Sequence, residues 1–229
     1  MLSVVIPTLN AESGLAACLT ALVPATVDGL VREVVIVDGG STDRTLKIAD
    51  QAGARIVKSR PGRGLQMQVG AQAARFEWLL FLHADTVLEP GWERELGAFV
   101  ERVEVGQRPE AAAVFRFALD DIGLMPRIVE LGVALRTSVV RLPYGDQGLA
   151  LPRRLYDRIG GFRDLPLMED VDMVRRLGRS RTIALRSAAV TSAIRFKQDG
   201  YVLRVARNWA CLALYYLRVS PSLIARIYG

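Results

Sequence analysis

Four short stretches of the chain carry side chains that could hold a phosphorylated ligand. Pro7-Thr8-Leu9-Asn10-Ala11-Glu12 closes the first apolar run, and Asp38-Gly39-Gly40-Ser41-Thr42-Asp43 closes the second. Lys58-Ser59-Arg60-Pro61-Gly62-Arg63-Gly64 follows the third, and His83-Ala84-Asp85 the fourth. Carboxylates, amide donors and arginines gathered in this way suit a nucleoside diphosphate. The acids serve base and ribose, the guanidinium forks serve phosphate, and one acid serves a divalent metal.

Each group also has a plainer use. Asp38 can start the turn through Gly39-Gly40, and Asp43 can sit in a first helical turn, where the dipole favours acids. Arg60 and Arg63 can belong to a solvated loop, Asp85 can be a helix-entry residue, and His83 a packed histidine. Three familiar signatures are missing. No G-x-G-x-x-G follows the first run, Gly62-Arg63-Gly64-Leu65-Gln66 lacks the Gly-Lys-Ser/Thr of a P-loop, and there is no G-x-S-x-G.

For these stretches to meet, the runs before them must be strands of one sheet, because ligands of open α/β sheets bind beyond the strands' carboxyl ends. The patterning predicts strands at Val4–Pro7, Glu33–Asp38, Arg55–Lys58 and Trp78–Leu82, alternating with helices at 11–22, from a Ser41 or Thr42 cap through Ala52, and at Gly64–Ala74. Pro90 opens the next helix. Beyond it come a strand at 111–119, a helix at Pro126–Val139, a short strand at 148–151, helices at 153–159 and Asp170–Leu177, strands at Thr182–Leu185 and Ala188–Ile194, and an apolar helix at Tyr201–Leu217. The expected class is α/β with a mostly parallel sheet flanked by helices.

The chain has 229 residues, 51% of them hydrophobic, and no linker-like or low-complexity tract, which fits a single domain. The first residues read as a strand rather than a signal peptide, and the two cysteines, Cys18 and Cys211, read as buried free thiols of a cytoplasmic protein. Of the net charge of +6, residues 195–229 carry +5, from six basic residues and one acid. Those cations are spread among apolar runs, which argues against nucleic acid as a partner. Only ten residues separate Arg207 from Arg218, too few for a membrane span of about 20 residues. Trp209, Tyr215 and Tyr216 beside arginines leave two uses open, peripheral contact at the inner membrane face and a homodimer surface along Trp209–Leu217.

Ser3–Glu12, Val35–Asp43 and Phe81–Thr86 resemble the nucleotide-binding half of family 2 glycosyltransferases, and Leu167-Met-Glu-Asp-Val-Asp172 resembles their "ED" motif. Arg60–Ala71, Leu142–Gly148 and Tyr216–Tyr228 are similar to a bacterial subgroup named for operons encoding radical SAM/selenodomain proteins. The resemblance implies a GT-A fold, with residues 1–90 as the nucleotide-sugar half, 91–198 as the acceptor and catalytic half, and 199–229 as basic apolar helices.

By the same resemblance, Pro7, Thr8, Asn10 and Glu12 line the nucleotide pocket, Asp38 with Gly39 meets the nucleobase, usually uracil, and Arg63 and Gln66 reach the nucleotide. His83-Ala84-Asp85 stands at the family's D-x-D, so Asp85 is the residue implied to hold Mn2+ or Mg2+. His83 replaces the first acid. Imidazole is a poorer ligand for Mg2+ than for Mn2+. Asp170, with Glu169 beside it, falls where the family places its general base. Chemistry supports that position independently, since an inverting transfer needs an ionised carboxylate to take the acceptor's proton, and adjacent helical side chains diverge. Asp146 and Gln147 resemble acceptor-side residues, and Arg195 is suited to grip the leaving diphosphate. Two rival functions keep part of this reading: a sugar nucleotidyltransferase, and a non-catalytic nucleotide-sugar-binding scaffold. The first lacks its glycine-rich loop after Pro7, and the second has no use for Asp85 and Asp170 together.

Overall fold

The computed structural model describes residues 1–137 and 145–228. The chain runs through β1 (Leu2–Thr8), α1 (Glu12–Thr20), α2 (Val23–Val27), β2 (Val31–Asp38), α3 (Thr45–Gln51), β3 (Arg55–Lys58), α4 (Arg63–Ala73) and β4 (Trp78–Phe81). Then come β5 (Thr86–Leu88), α5 (Trp92–Glu104), β6 (Ala112–Leu119) and α6 (Leu124–Leu135). After a 3-10 turn at Gly145–Gln147 follow β7 (Leu149–Pro152), α7 (Arg153–Arg158), α8 (Glu169–Leu177) and β8 (Thr182–Thr191). The tail forms α9 (Ile194–Asp199), α10 (Tyr201–Tyr216) and α11 (Pro221–Tyr228).

The eight strands make one sheet in the order β3-β2-β1-β4-β7-β6-β8-β5. β1 to β4 are parallel, as are β6 and β8, while β7 runs antiparallel between β4 and β6 and β5 pairs antiparallel with β8. The sheet is thus mostly parallel, as expected. Its central strands β1, β4, β6 and β7 are buried on both faces, which is why they read as nearly continuous apolar runs. Val4, Ile6, Trp78 and Leu80 join one core with Trp92 and Leu96, while Val5, Leu79 and Phe81 join the other with Met67, Leu155 and Tyr156.

Several expectations need correction. Neither Ser41 nor Thr42 caps α3, which starts at Thr45 with Arg44 before it. The Asp43 carboxylate accepts the Thr45 N–H instead (2.9 Å), so Asp43 precedes the first turn rather than lying in it. Pro90 does not open α5. Pro90 and Gly91 form a turn, with Gly91 at φ +93°. Residues 86–88 become the short strand β5, because β8 offers them an edge. The two strands expected at 182–194 are one, β8, with a register shift near Arg186. Glu95 satisfies that irregularity, accepting the Arg186 and Ser187 N–H groups and the Ser187 hydroxyl. Ile194 begins α9 instead of ending a strand. α11 falls in the tail expected to be helical, α2 lies outside every expected helix, and the last residues of the helix expected at 126–139 lie outside the described residues. Among the described residues no helix is long and apolar enough to cross a membrane.

α4 sits on β1 and β2 at unusually close range. A Cβ on Gly70 would come within 2.3 Å of Val5 Cγ1 and 2.8 Å of Val37 Cγ2. Gly70→Ala is therefore expected to overpack this contact, costing about 1–3 kcal/mol, and to lower Tm by roughly 3–10 °C in thermal unfolding. An unchanged Tm would mean that the helix and sheet can separate freely.

Candidate active site

The loops after β1 and β2 are tied together before any ligand enters. Asn10 N–H donates to Ser41 Oγ (2.9 Å), and Asn10 Oδ1 accepts the Thr42 N–H (2.9 Å). Ala11 N–H donates to Thr45 Oγ1, Glu12 N–H to Asp43, and Glu12 Oε2 accepts the Arg44 N–H (2.9 Å). Asn10 adopts φ +50° to make its two bonds, a left-handed conformation that asparagine tolerates better than most residues. Asp38 is buried, and its carboxylate is enclosed by its own loop, accepting from Ser41 Oγ (2.5 Å) and from the Gly40 and Ser41 N–H groups. Burial pushes that carboxyl up, but these hydrogen bonds outweigh it and hold it below the usual range.

Across the sheet, Asp85 lies in a tight turn in which His83 O accepts the Thr86 N–H (3.2 Å). The turn abuts α1 at Gly14, where a Cβ would stand 2.9 Å from Asp85 Cα. A cleft of about 610 Å3 opens between these loops. Pro7 and Thr8 line it from β1, Asn10 from the loop after it, Arg63 and Gln66 from α4, His83, Ala84 and Asp85 from the turn, and Arg195 from α9. A second cavity of about 150 Å3 shares Arg63, His83, Asp85 and Arg195 and adds Asp146, Glu169 and Asp170. Twelve of the residues singled out from the sequence thus line two adjoining cavities.

Glu12, Asp38, Gly39 and Gln147 are not on those walls. Glu12 and Asp38 hold loops, as described. Gly39 lies against Gln66, whose Nε2 is 3.3 Å from where a Cβ would stand. Gln147 is buried, donates from its amide to Phe115 O (2.9 Å) and accepts from Thr137 Oγ1. Of the Leu142–Gly148 motif, residues 142–144 lie outside the described residues.

Burial governs the charges here. Together with Arg63 and Arg195 it pushes His83 well below the usual imidazole range, so the ring is neutral near pH 7. His83 Nε2 and Asp146 Oδ1 are both buried and have no hydrogen-bond partner among the described residues. Burial, with Asp170 and Asp85 nearby and Arg136 opposing, raises Asp146 to about 6. Among the described residues no three His, Cys, Asp or Glu side chains form a ready metal cage. A divalent ion would take one or two protein ligands, Asp85 with His83 or Asp146, and complete its shell with ligand phosphate and water. Mg2+-type sites are commonly built that way, and the two orphaned atoms fit it.

Residues 3–118, half of the chain, match the family model described as glycosyl transferase family 2. The chain belongs to this family. Among curated family members, a PGL/p-HBAD biosynthesis glycosyltransferase of Mycobacterium tuberculosis is 42% identical over 95 residues, covering 38% of this chain and 36% of the relative. Glucosyl-3-phosphoglycerate synthase of Mycolicibacterium paratuberculosis is 35% identical over 95 residues, 38% of this chain and 29% of that protein. The alignments therefore span about a third of the relatives' length. Among solved structures, S. aureus TarS 1–349 in complex with UDP superposes with TM-score 0.62 at 20% identity, over 86% of this chain and 62% of that one. M. tuberculosis glucosyl-3-phosphoglycerate synthase with Mn2+, UDP and glucosyl-3-phosphoglycerate does so with TM-score 0.55 at 23% identity, over 84% and 70%. Both carry the same GT-A fold.

In this family 2 chain the "ED" pair divides at the start of α8. Met168 adopts φ +66°, a rare conformation for methionine, immediately before the helix. Glu169 turns inward and is buried, with Arg63 Nη1 at 3.4 Å, whereas Asp170 keeps partial exposure on the cavity wall. Asp120, Ser192, Arg204, Asn208 and Tyr228 also line the cavities and were missed in the sequence. Asp120 directly follows β6, so the strand-end rule applied to the second half would have found it. Tyr228 lies within the Tyr216–Tyr228 stretch, but nothing local places it, Arg204 or Asn208 at the cavity, since only the fold-back of α10 and α11 brings them here.

Burial and Asp170 raise Glu169 to about 7, against Arg63. In the unfolded chain the carboxyl ionises near its ordinary value, so between about pH 4.5 and 7 the folded state binds more protons and loses stability as pH rises. Glu169→Gln removes this dependence. Its loss of stability between pH 5 and 8 should be smaller than wild type's by roughly 2–3 kcal/mol, measured by urea unfolding at both pH values. Equal losses would mean that Glu169 is ionised throughout.

Proposed function

We propose that the chain transfers a sugar from a uridine-diphosphate sugar to a hydroxyl acceptor, with inversion at the anomeric carbon. The observation that carries this reading is the continuity of the two cavities through Arg63, His83, Asp85 and Arg195, with Asp170 lining the smaller one. The larger cavity takes the nucleotide, in keeping with UDP in TarS and with Mn2+ and UDP-glucose in glucosyl-3-phosphoglycerate synthase. Residues 1–90 supply the donor side and 91–198 the acceptor side. The Arg60–Ala71 and Tyr216–Tyr228 stretches further support membership of the radical SAM/selenodomain-associated subgroup.

Arg195 and Arg63 meet the diphosphate oxygens with forked N–H donors. Asp85 would hold Mn2+ or Mg2+, and that ion, when bound, would supply Lewis-acid stabilisation for a diphosphate leaving group. Asp170 accepts the acceptor hydroxyl's proton as that oxygen bonds to the anomeric carbon, and the bonding pair to the diphosphate leaves with UDP. Glu169 positions Arg63, and Asp146 faces the acceptor.

Thermal unfolding with UDP, GDP, CDP or ADP, each with and without Mn2+, tests the donor. UDP at about 100 times its Kd adds roughly 2.7 kcal/mol, hence a rise of about 5–10 °C. Asp85→Ala should lose the Mn2+-dependent part. No shift with any nucleotide overturns the reading. For the base, Asp170→Asn should lower UDP-sugar turnover by about 10²–10⁴-fold while UDP affinity stays within a few-fold. Loss of both together would make Asp170 structural.

A further inference from the structure

A third cavity, a groove of about 230 Å3, lies between α6 and α10. Among the described residues its walls are mostly apolar, with Ile128, Gly132 and Val133 from α6 and Val205 and Trp209 from α10, and Arg136 also lines it. Its inner end is polar: Asp146 and Asn208 line it and also line the cavity that holds Asp170. The groove and the catalytic cavity therefore adjoin through shared side chains.

Outside the groove the apolar character continues. Leu124, Ile128, Leu131 and Leu135 recur at helical spacing along α6, and each is more than half exposed. Val202 and Trp209 do the same on α10. An apolar surface of this extent running into a polar cavity marks a binding site rather than an ordinary surface. The one acid of α6, Glu130, is engaged by Arg127 and by the Leu119 N–H, and no acid occurs between Gly200 and Gly229.

From this arrangement we infer that the acceptor is an amphiphile. Its hydroxyl enters the cavity beside Asp170, and its alkyl or aryl part fills the α6/α10 groove. The assignment rests on the transferase reading above and adds the substrate class. A wholly polar acceptor would leave its hydroxyls unpaired against Val133, Val205 and Ile128. A second copy of the chain is a poorer occupant, because it would bring two basic tails together. The same chemistry can come from a soluble alcohol or from a membrane lipid.

Trp209 lines the groove, while Trp78 and Trp92 are sealed in the core, so quenching by an ω-bromodecanol probe reports on the groove alone. Wild type should be quenched saturably, and Trp209→Phe should lose the response. Gly132→Leu fills the groove, where a Cβ meets nothing within 4 Å, and should weaken the apparent affinity roughly tenfold or more. Its UDP/Mn2+ thermal shift should equal wild type's. Quenching by the free probe points to a soluble amphiphile and quenching only in phosphatidylglycerol vesicles to a lipid, and both uphold the assignment. Non-saturable quenching, or unchanged affinity in Gly132→Leu, overturns it. So does a dimer seen in sedimentation that Gly132→Leu abolishes while the probe has no effect. If wild type shows saturable quenching but no nucleotide shift, the transferase reading fails and the groove stands as a binding site.

Discussion

Helix α4 reaches its depth against the sheet only because residue 70 has no side chain, and the site is arranged around that seating. At this depth the Gln66 amide reaches both Thr8 O (2.8 Å) and Val37 O (2.7 Å), joining β1 to β2 at the ends from which the two tied loops leave. The first turn of the same helix rests on the chain before α8, where a Cβ on Gly64 would come within 2.2 Å of Arg163 O. Arg63 is thereby held beside Glu169. One helix, lacking side chains at two points, thus links the loops after β1 and β2 to the start of α8.

The electrostatics follow from that enclosure. Arginines and carboxylates crowd into a space from which water is partly excluded, and burial drives the groups toward neutral forms: upward for Glu169 and Asp146, downward for His83. Buried polar atoms without partners among the described residues, as on His83 and Asp146, are costly in a protein interior and are tolerated where a ligand completes them. Under the proposed transfer, a charged donor entering such a cleft would meet oriented groups instead of mobile solvent, and those groups would need little rearrangement as charge shifts to the leaving group.

Much of the fold was legible because its signals are local. Arg55–Lys58 matches β3 to the residue, and the apolar runs at 4–7, 33–38 and 78–82 differ from β1, β2 and β4 only at their ends. The elements that escaped notice owe their existence to distant partners. β5 has three residues and stands because β8 pairs with it. The irregularity near Arg186, which looked like a break between two strands, is bridged by Glu95 from another element, so β8 stays whole.

What the sequence alone determined were the residue types at the strand ends, the order of the strands' motifs and, through Gly64 and Gly70, the positions where a helix can approach closely. Periodicity and turn chemistry are properties of neighbouring residues and survive without a fold. The tertiary structure decided which acids face the cleft. Glu12 is spent on Arg44, 32 residues away, Glu169 turns in toward Arg63, and Asp85 and Asp170, from opposite halves of the chain, line one cavity. It also decided that the tail folds back so that Tyr228 and Asn208 close that cavity. Such choices depend on which side chains meet across long separations, and only the packed chain brings those partners within reach.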